Sequence, residues 1–557
     1  MLDGRQIATR SVDPDAYEHA GRAFLYEDQE RWEDAAAELQ RALAFDGDSP
    51  ELHARLAEID LRFGKVADAA SEARESLNLG SSPSGLLAMA HVHRAQGDLP
   101  GVVSALRKAK GEVDLQASDD AAESVYLELA DAQLQTLDLP AARSTLESLC
   151  QAEPGSATGR MRLTSIAWAL GDMSAAEAQL RAALDEEPNL VEALTALAWI
   201  YAATGRNDDA QRVFRDAIDR SEGSPEIAAA FARFLVGIGS SKEAEQVADD
   251  LAIPLSSLDA DTLAARVELE RSARRFGRAL ALLAHASEAG IADNEKTRIS
   301  LLRAGILKEL GTSKEALDAL LQVDKKSPLF FDARLRAAEF LRDDGKSDEA
   351  LRVIDEAAGA ASGDRAAIEV EAAVAAALVE EKRGAAAAGV LRLEKALARY
   401  PDEGRPVLIL AAIEERRGNW QRALGIVEKY LGKNPGSVEA LNFWGFVAAD
   451  HDHALDRALV RLEVASALEP GSGGLIDSIG WVHFHRHDLS KAGLFLEQAA
   501  RLEPADAEIQ WHLGSLYAMR KEIGLATSAF KRALGFKPDE RLRHKVEESL
   551  ARLVERK

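Results

Sequence analysis

Along most of the chain apolar residues recur every three or four positions, with polar residues between them. This is the spacing of amphipathic helices. Leu513-Gly514-x-x-Tyr517 is one such run, and Ala526-x-x-x-Phe530-x-x-Ala533 is the next. A short polar turn separates the two. Similar turns often hold glycine, as at Gly97, Gly171, Gly205, Gly239, Gly311, Gly345 and Gly418, where a left-handed residue ends a helix at little cost. Runs of Val, Ile and Thr of the kind that form strands are nearly absent. The pattern predicts helix-turn-helix units over nearly the whole chain.

These units keep time. Pro470, Pro504 and Pro538 are each 34 residues apart, as are Pro154 and Pro188, and Pro401 and Pro435. Ala142, Ala176, Ala210 and Ala244 keep the same 34-residue interval. So do the pairs Ala35 and Ala69, Ala316 and Ala350, and Ala492 and Ala526. A fixed period of this length marks a repeat array, with about fifteen units between residues 16 and 538. Small residues let paired helices approach closely while large ones fill the gaps.

Extra residues interrupt the period at 111–120, 252–261, 285–295 and 359–367. The second of these, with Pro254, Ser256 and Ser257, is the expected hinge. The "GSGG" at 471–474 reads as a linker between repeats. After Pro538, the residues Leu542, Val546, Leu550 and Leu553 share one helical face, and the opposite face is charged. Such a helix would cap the open end of a solenoid.

The unit resembles the tetratricopeptide repeat, with its W-x2-L-G-x2-Y, A-x3-F and P signature. Leu513, Gly514, Tyr517, Ala526, Phe530 and Pro538 carry the resemblance best, followed by Leu197, Ala198, Tyr201, Ala210 and Phe214. Ile479, Gly480, Ala492, Leu496 and Pro504 fit too, with His483 in place of the tyrosine. Arg266 and Gly389 stand at signature positions of two poorly matched units. The resemblance implies an all-α, right-handed superhelical solenoid of about fifteen units with a C-terminal capping helix. The expected organisation is an N-terminal extension (1–15), an N-terminal array (16–251) and the hinge (252–261). Degenerate central repeats (262–403), a C-terminal array (404–538) and the capping helix (539–557) complete it.

Charge and composition narrow the function. With 68 Lys and Arg against 93 Asp and Glu, the formal charge is −25, which repels nucleic acid and anionic lipid. The single cysteine, Cys150, excludes an internal disulfide framework and a four-cysteine zinc site. No run has the length of a membrane span, and the first residues have no apolar signal core. As written, the chain is expected to be cytoplasmic, and its Ala-, Arg- and Glu-rich repeats have a bacterial style.

Candidate chemistry is sparse. His483, His485 and His487 occupy alternate positions. On a helix they cannot share one face, so they read as a core, a groove and a turn histidine. His451 and His453 lie in the equivalent turn one unit earlier, and a zinc or copper set completed by Asp452 or Asp488 is the weaker alternative. Gly345-Lys346-Ser347 lacks the earlier glycine of a phosphate-binding loop, since Phe340 stands there. Ser528-x-x-Lys531 has no companion motifs. No catalytic residue, metal or cofactor is expected.

The resemblance implies instead a concave groove, lined by each unit's first helix, that takes peptides. Its expected C-terminal lining is Asn442, Phe446, Asp477, Trp481, Phe484, His485, Trp511, Ser515 and Met519. A second set comprises Met161, Trp168, Trp199 and Arg233. Exposed tryptophan and methionine are frequent anchors; the competing reading buries them against neighbouring helices. Trp32, Trp420 and Trp444 read as structural. The basic clamp that some relatives use for chaperone tails is missing, with Ala20, Phe24, Ala54 and Glu58 at its positions. The expected function is a non-enzymatic scaffold for one or more proteins or peptides. The alternative is an envelope lipoprotein supporting polysaccharide or appendage export, which requires a leader upstream of Met1 and would place the chain in the periplasm or outer membrane.

Overall fold

The computed structural model describes residues 13–113, 120–251, 260–288 and 293–555. Among these residues there are thirty-one helices and no strand: fifteen successive pairs and a closing helix, Glu540–Glu555. The architecture is an all-α array of helix-turn-helix repeats. Ala157–Ala169, Val191–Ala203 and Pro225–Gly237 begin 34 residues apart, as the sequence period requires. No helix among the described residues is long and apolar enough to cross a membrane.

The cadence of alanines has a steric cause. Ala142, Ala176, Ala210, Ala244, Ala492 and Ala526 are all fully buried where the second helix of a unit crosses the first. Glycine on the first helix brings the axes closer still. A Cβ at Gly480 would sit 2.8 Å from the Leu496 side chain, and one at Gly514 would sit 2.6 Å from the Phe530 ring. The poorly matched units obey the same rule. Gly389 lies against the Ala377 backbone, where a Cβ would meet the carbonyl oxygen at 2.8 Å. Arg266 is buried at its signature position because it donates to the Leu251 carbonyl at 3.1 Å and pairs with Glu270 at 3.0 Å.

Helix starts follow local chemistry. Ser82, Asp98 and Asp138 accept from the backbone N–H three residues on, and proline occupies the first turn after each. Only Gly471 and Ser472 of "GSGG" lie in the linker between repeats, because the helix Gly473–His485 begins inside it. Ser472 caps that helix at Leu475 N, and the Glu503 carboxylate accepts from the N–H groups of Gly473 and Gly474.

The chain forms two compact units, residues 1–163 and 164–557. In the first, one core gathers Ala23, Leu39, Leu52, Leu56 and Ile59 from the first helices in the chain. In the second, the stack turns back on itself. The helix Leu489–Leu502 lies against Val191–Ala203 and Pro225–Gly237, and the Arg501 guanidinium donates to the Ala203 carbonyl at 2.9 Å. Most of the expected hinge, residues 252–259, falls outside the described residues. So do 114–119 and 289–292 in two of the other irregular stretches.

The closing helix buries Val546 and Leu553, with Leu542 and Leu550 half-buried, as its apolar stripe predicts. Its charged face is not simply solvated. Arg541 donates to both oxygens of Glu415 at 2.9 and 2.8 Å, and Lys545 stands 3.5 Å from Asp450. Ser549 accepts from the Trp511 indole at 3.3 Å. The helix therefore lies across the first helices Gly404–Arg416, Val438–Asp450 and Ala507–Met519, in addition to ending the stack.

The inter-helix turn supplies a test. Gly171, Gly205 and Gly239 take φ of 76°, 76° and 86°, yet Leu137 fills the equivalent turn with φ of 60°. A side chain in the left-handed region costs about 1–2 kcal/mol, partly offset by the greater entropy glycine loses on folding. Leu137→Gly is predicted to stabilise by about 1 kcal/mol in chemical denaturation. Gly418→Leu, at φ 86° with nothing within 4 Å of an added Cβ, is predicted to destabilise by a similar amount.

Candidate functional site

The first helices of the C-terminal units line a concave face whose two halves differ. One half, around Trp481 and Trp511, is closed. Trp481 is only 4% exposed, stacked on His512 at 4.0 Å and on Phe484 at 4.7 Å, with its indole N–H donated to Asp450 at 3.0 Å. Trp511 is 8% exposed beneath Lys545, whose ammonium lies 4.6 Å from the ring centroid. Neither tryptophan is an open anchor, since the closing helix and neighbouring rings cover them. Ser515 turns its hydroxyl to the Trp511 carbonyl, and His485 pairs with Asp452 at 2.8 Å. Phe484 is half-buried and Met519 exposed.

The other half, around Asn442, Phe446 and Asp477, is open. It holds a cavity of about 370 Å³ lined in part by the sequence candidates Asn442, Phe446 and Asp477. Glu439, Phe443, Ser478, Asp506 and Glu508 also line it, and no lysine or arginine does. Asp477 is 4% exposed; its Oδ2 meets His512 Nδ1 at 2.7 Å, whereas Oδ1 is buried without a hydrogen-bond partner. The side-chain oxygen of Asn442 is likewise buried and unpaired. Each such orphan costs about 1–3 kcal/mol. His512 is fully buried, which by itself would lower its pKa, but Asp477, Glu508 and Asp450 raise it. Glu508 is pushed above the usual carboxylate range by the protein around it, with Asp477 and Asp506 adding to the effect.

The second set of sequence candidates is divided between the two compact units. Met161 belongs to the first compact unit, and Trp168, Trp199 and Arg233 to the second. Trp168 is buried beside Gly471, Trp199 is half-buried edge-on to Phe214 at 5.3 Å, and Arg233 is exposed, 3.4 Å from Glu268. The helices carrying Trp199 and Arg233 are those against which Leu489–Leu502 packs, so the chain itself occupies part of this face.

A tetratricopeptide-repeat family model matches residues 12–85, 127–191, 308–365 and 487–541, and a second matches 167–217. The chain belongs to the tetratricopeptide-repeat superfamily. No curated protein matches its sequence. Among solved structures, yeast Tom70 is 15% identical, over 97% of this chain and 96% of that one, with a TM-score of 0.40. The APC/C hetero-tetramer Cut9–Hcn1 is 16% identical over 97% and 96%, with a TM-score of 0.37. The pilF protein of Pseudomonas aeruginosa is 16% identical over 38% of this chain and 93% of that one, at 0.32.

Within the repeats the three alternate histidines separate into three environments. His483, at the signature tyrosine position, is buried and stacks on Phe495 at 5.6 Å. His485 makes the pair with Asp452 already described, and His487 is exposed in the turn at φ 59°. His451 stacks on Trp420 at 4.8 Å, and His453 lies tilted against the same ring at 5.3 Å. Among the described residues no group of three or more His, Cys, Asp or Glu could hold a metal ion. Trp444 is buried under Arg461, 3.9 Å from its ring centroid.

One charged cluster escapes sequence reading. In the first compact unit, His91 lies between Glu58 at 2.7 Å and Glu128 at 3.0 Å. Burial opposes its protonation, but the two glutamates win and raise it to about 9. The available signal was spacing, since the glutamates stand 33 residues before and 37 after it, about one repeat each way. Glu58 is also one of the positions where the chaperone clamp is missing.

Two predictions follow from the buried aromatic groups. Trp481→Ala should destabilise the second unit by about 3–5 kcal/mol through an unfilled cavity, read by denaturant titration. His483 is pulled down to about 4, chiefly by burial, from an ordinary 6.5. Its folded form therefore favours the neutral ring, so its contribution is complete above pH 6.5 and is lost as pH falls toward 4. His483→Tyr should reduce the drop in melting temperature between pH 7 and 4.5 by about 2 °C or more.

Proposed function

We propose that the chain is a non-enzymatic scaffold that holds an extended segment of a protein partner against the open half of its C-terminal concave face. Tetratricopeptide-repeat proteins generally mediate protein–protein interaction. The observation that carries the reading here is the cavity at Asn442, Phe446 and Asp477, where buried acceptors without partners stand beside half-buried rings. A peptide backbone or side chain supplies the donors those oxygens lack, and Phe443 and Phe446 supply apolar contact. The working surface is therefore narrower than the whole inner face, because the closing helix already takes the Trp481 and Trp511 half.

Selection of linear peptides from a randomised library on the purified chain tests this. Peptides so obtained should bind Phe446→Ala about 10-fold or more weakly, with the melting temperature little changed. They should bind Leu494→Ala, an exposed position on a second helix, as tightly as the unaltered chain. Equal affinity for Phe446→Ala and the unaltered chain would place the binding surface elsewhere.

A further inference from the structure

The closing helix shows how this concave face receives a cation. Its Arg541 lies on the Glu415 carboxylate, which is held below the usual range chiefly by that contact. Its Lys545 lies over the Trp511 ring and near Asp450. A carboxylate is the means in both cases, joined for Lys545 by an aromatic ring. The open half repeats this chemistry with no lysine or arginine in its lining, since Lys545 and His512 act on Glu508 only from beyond ion-pair distance. Glu439 and Glu508 have no ion-pair partner among the described residues, Asp477 keeps one oxygen buried and unpaired, and Phe443 and Phe446 flank them.

We infer that the open half of the face, at Glu439, Asp477 and Glu508, receives an arginine side chain of the partner segment. The inference rests on the scaffold reading above and adds the chemistry of what is recognised. Arginine carries five N–H donors in a planar fork, and the cavity presents acceptors that have none. The Asn442 oxygen is a further unpaired acceptor. An anionic ligand fits poorly, although three helices start here. Ser437, Ser472 and Asp506 already cap their N–H groups, at Ala440, at Leu475, and at Glu508 and Ile509. His512 offsets part of the negative charge from below, but its Nδ1 is taken by Asp477 and its ring is fully buried.

The test uses the purified full chain and two fluorescein-labelled nonapeptides of Gly and Ser, one with two arginines and one with citrulline at both positions. Citrulline keeps the shape and removes the charge. By fluorescence anisotropy the arginine peptide should bind about ten-fold tighter or better. Glu439→Gln/Glu508→Gln, at exposed positions, should erase that difference while leaving the citrulline peptide unchanged. Glu315→Gln/Glu349→Gln removes the same charge from exposed positions on second helices and should leave the difference intact. Equal affinity of the two peptides, equal weakening by both double variants, or no binding of the arginine peptide overturns the inference. If Phe446→Ala weakens both peptides alike while their affinities match, the scaffold reading stands and only the arginine specificity falls.

Discussion

How closely the two helices of a unit can approach is the constraint on which this architecture depends. A buried alanine at the crossing, or a glycine such as Gly514 under Phe530, fixes the distance between axes. Once that distance is set, the large residues of neighbouring helices interlock in rotamers with little slack. The concave face follows from repetition of that geometry, since it brings the same positions of successive first helices side by side. Asn442, Asp477 and Glu508 come from three successive units and have no relation to each other except through that stacking.

The face thus produced is divided by the helix Glu540–Glu555. Arg541, Lys545 and Ser549 engage Glu415, Asp450 and Trp511, so the closing helix uses the surface that a partner would otherwise meet. What remains open is short, acidic and edged with phenylalanine. Specificity in such a site comes from acceptors already fixed in place by buried packing, with Asp477 held by His512 and His512 held by Trp481. In the proposed reading the buried tryptophans act on recognition through rigidity, without touching a partner.

The periodic features were legible in the sequence because each has a local steric cause. The alanine cadence, the turn glycines and the stripe of the last helix report which faces must be small, left-handed or apolar. Position within the repeat also pointed to Asn442, Phe446 and Asp477, which line one cavity. It could not show that Trp481 and Trp511 are covered, because Arg541 and Glu415 lie 126 residues apart and no local pattern links them. "GSGG" misled in its second half for a different reason. Glycines that read as a loose connector are instead where Glu503, thirty residues on, receives two backbone N–H groups of the following helix. Long-range polar contacts of this kind leave no periodic trace.

The return of Leu489–Leu502 onto Val191–Ala203 has a kinetic consequence. A linear array gains stability from nearest neighbours and can nucleate anywhere. The contact between Arg501 and the Ala203 carbonyl spans 298 residues, and it can form only after the intervening repeats have largely stacked. Such a link raises the contact order of the second unit and delays its last step of folding relative to an open array. It also joins the fates of repeats that a linear chain would let fray independently, so the second unit tends to lose its structure as a block and not from one end inward.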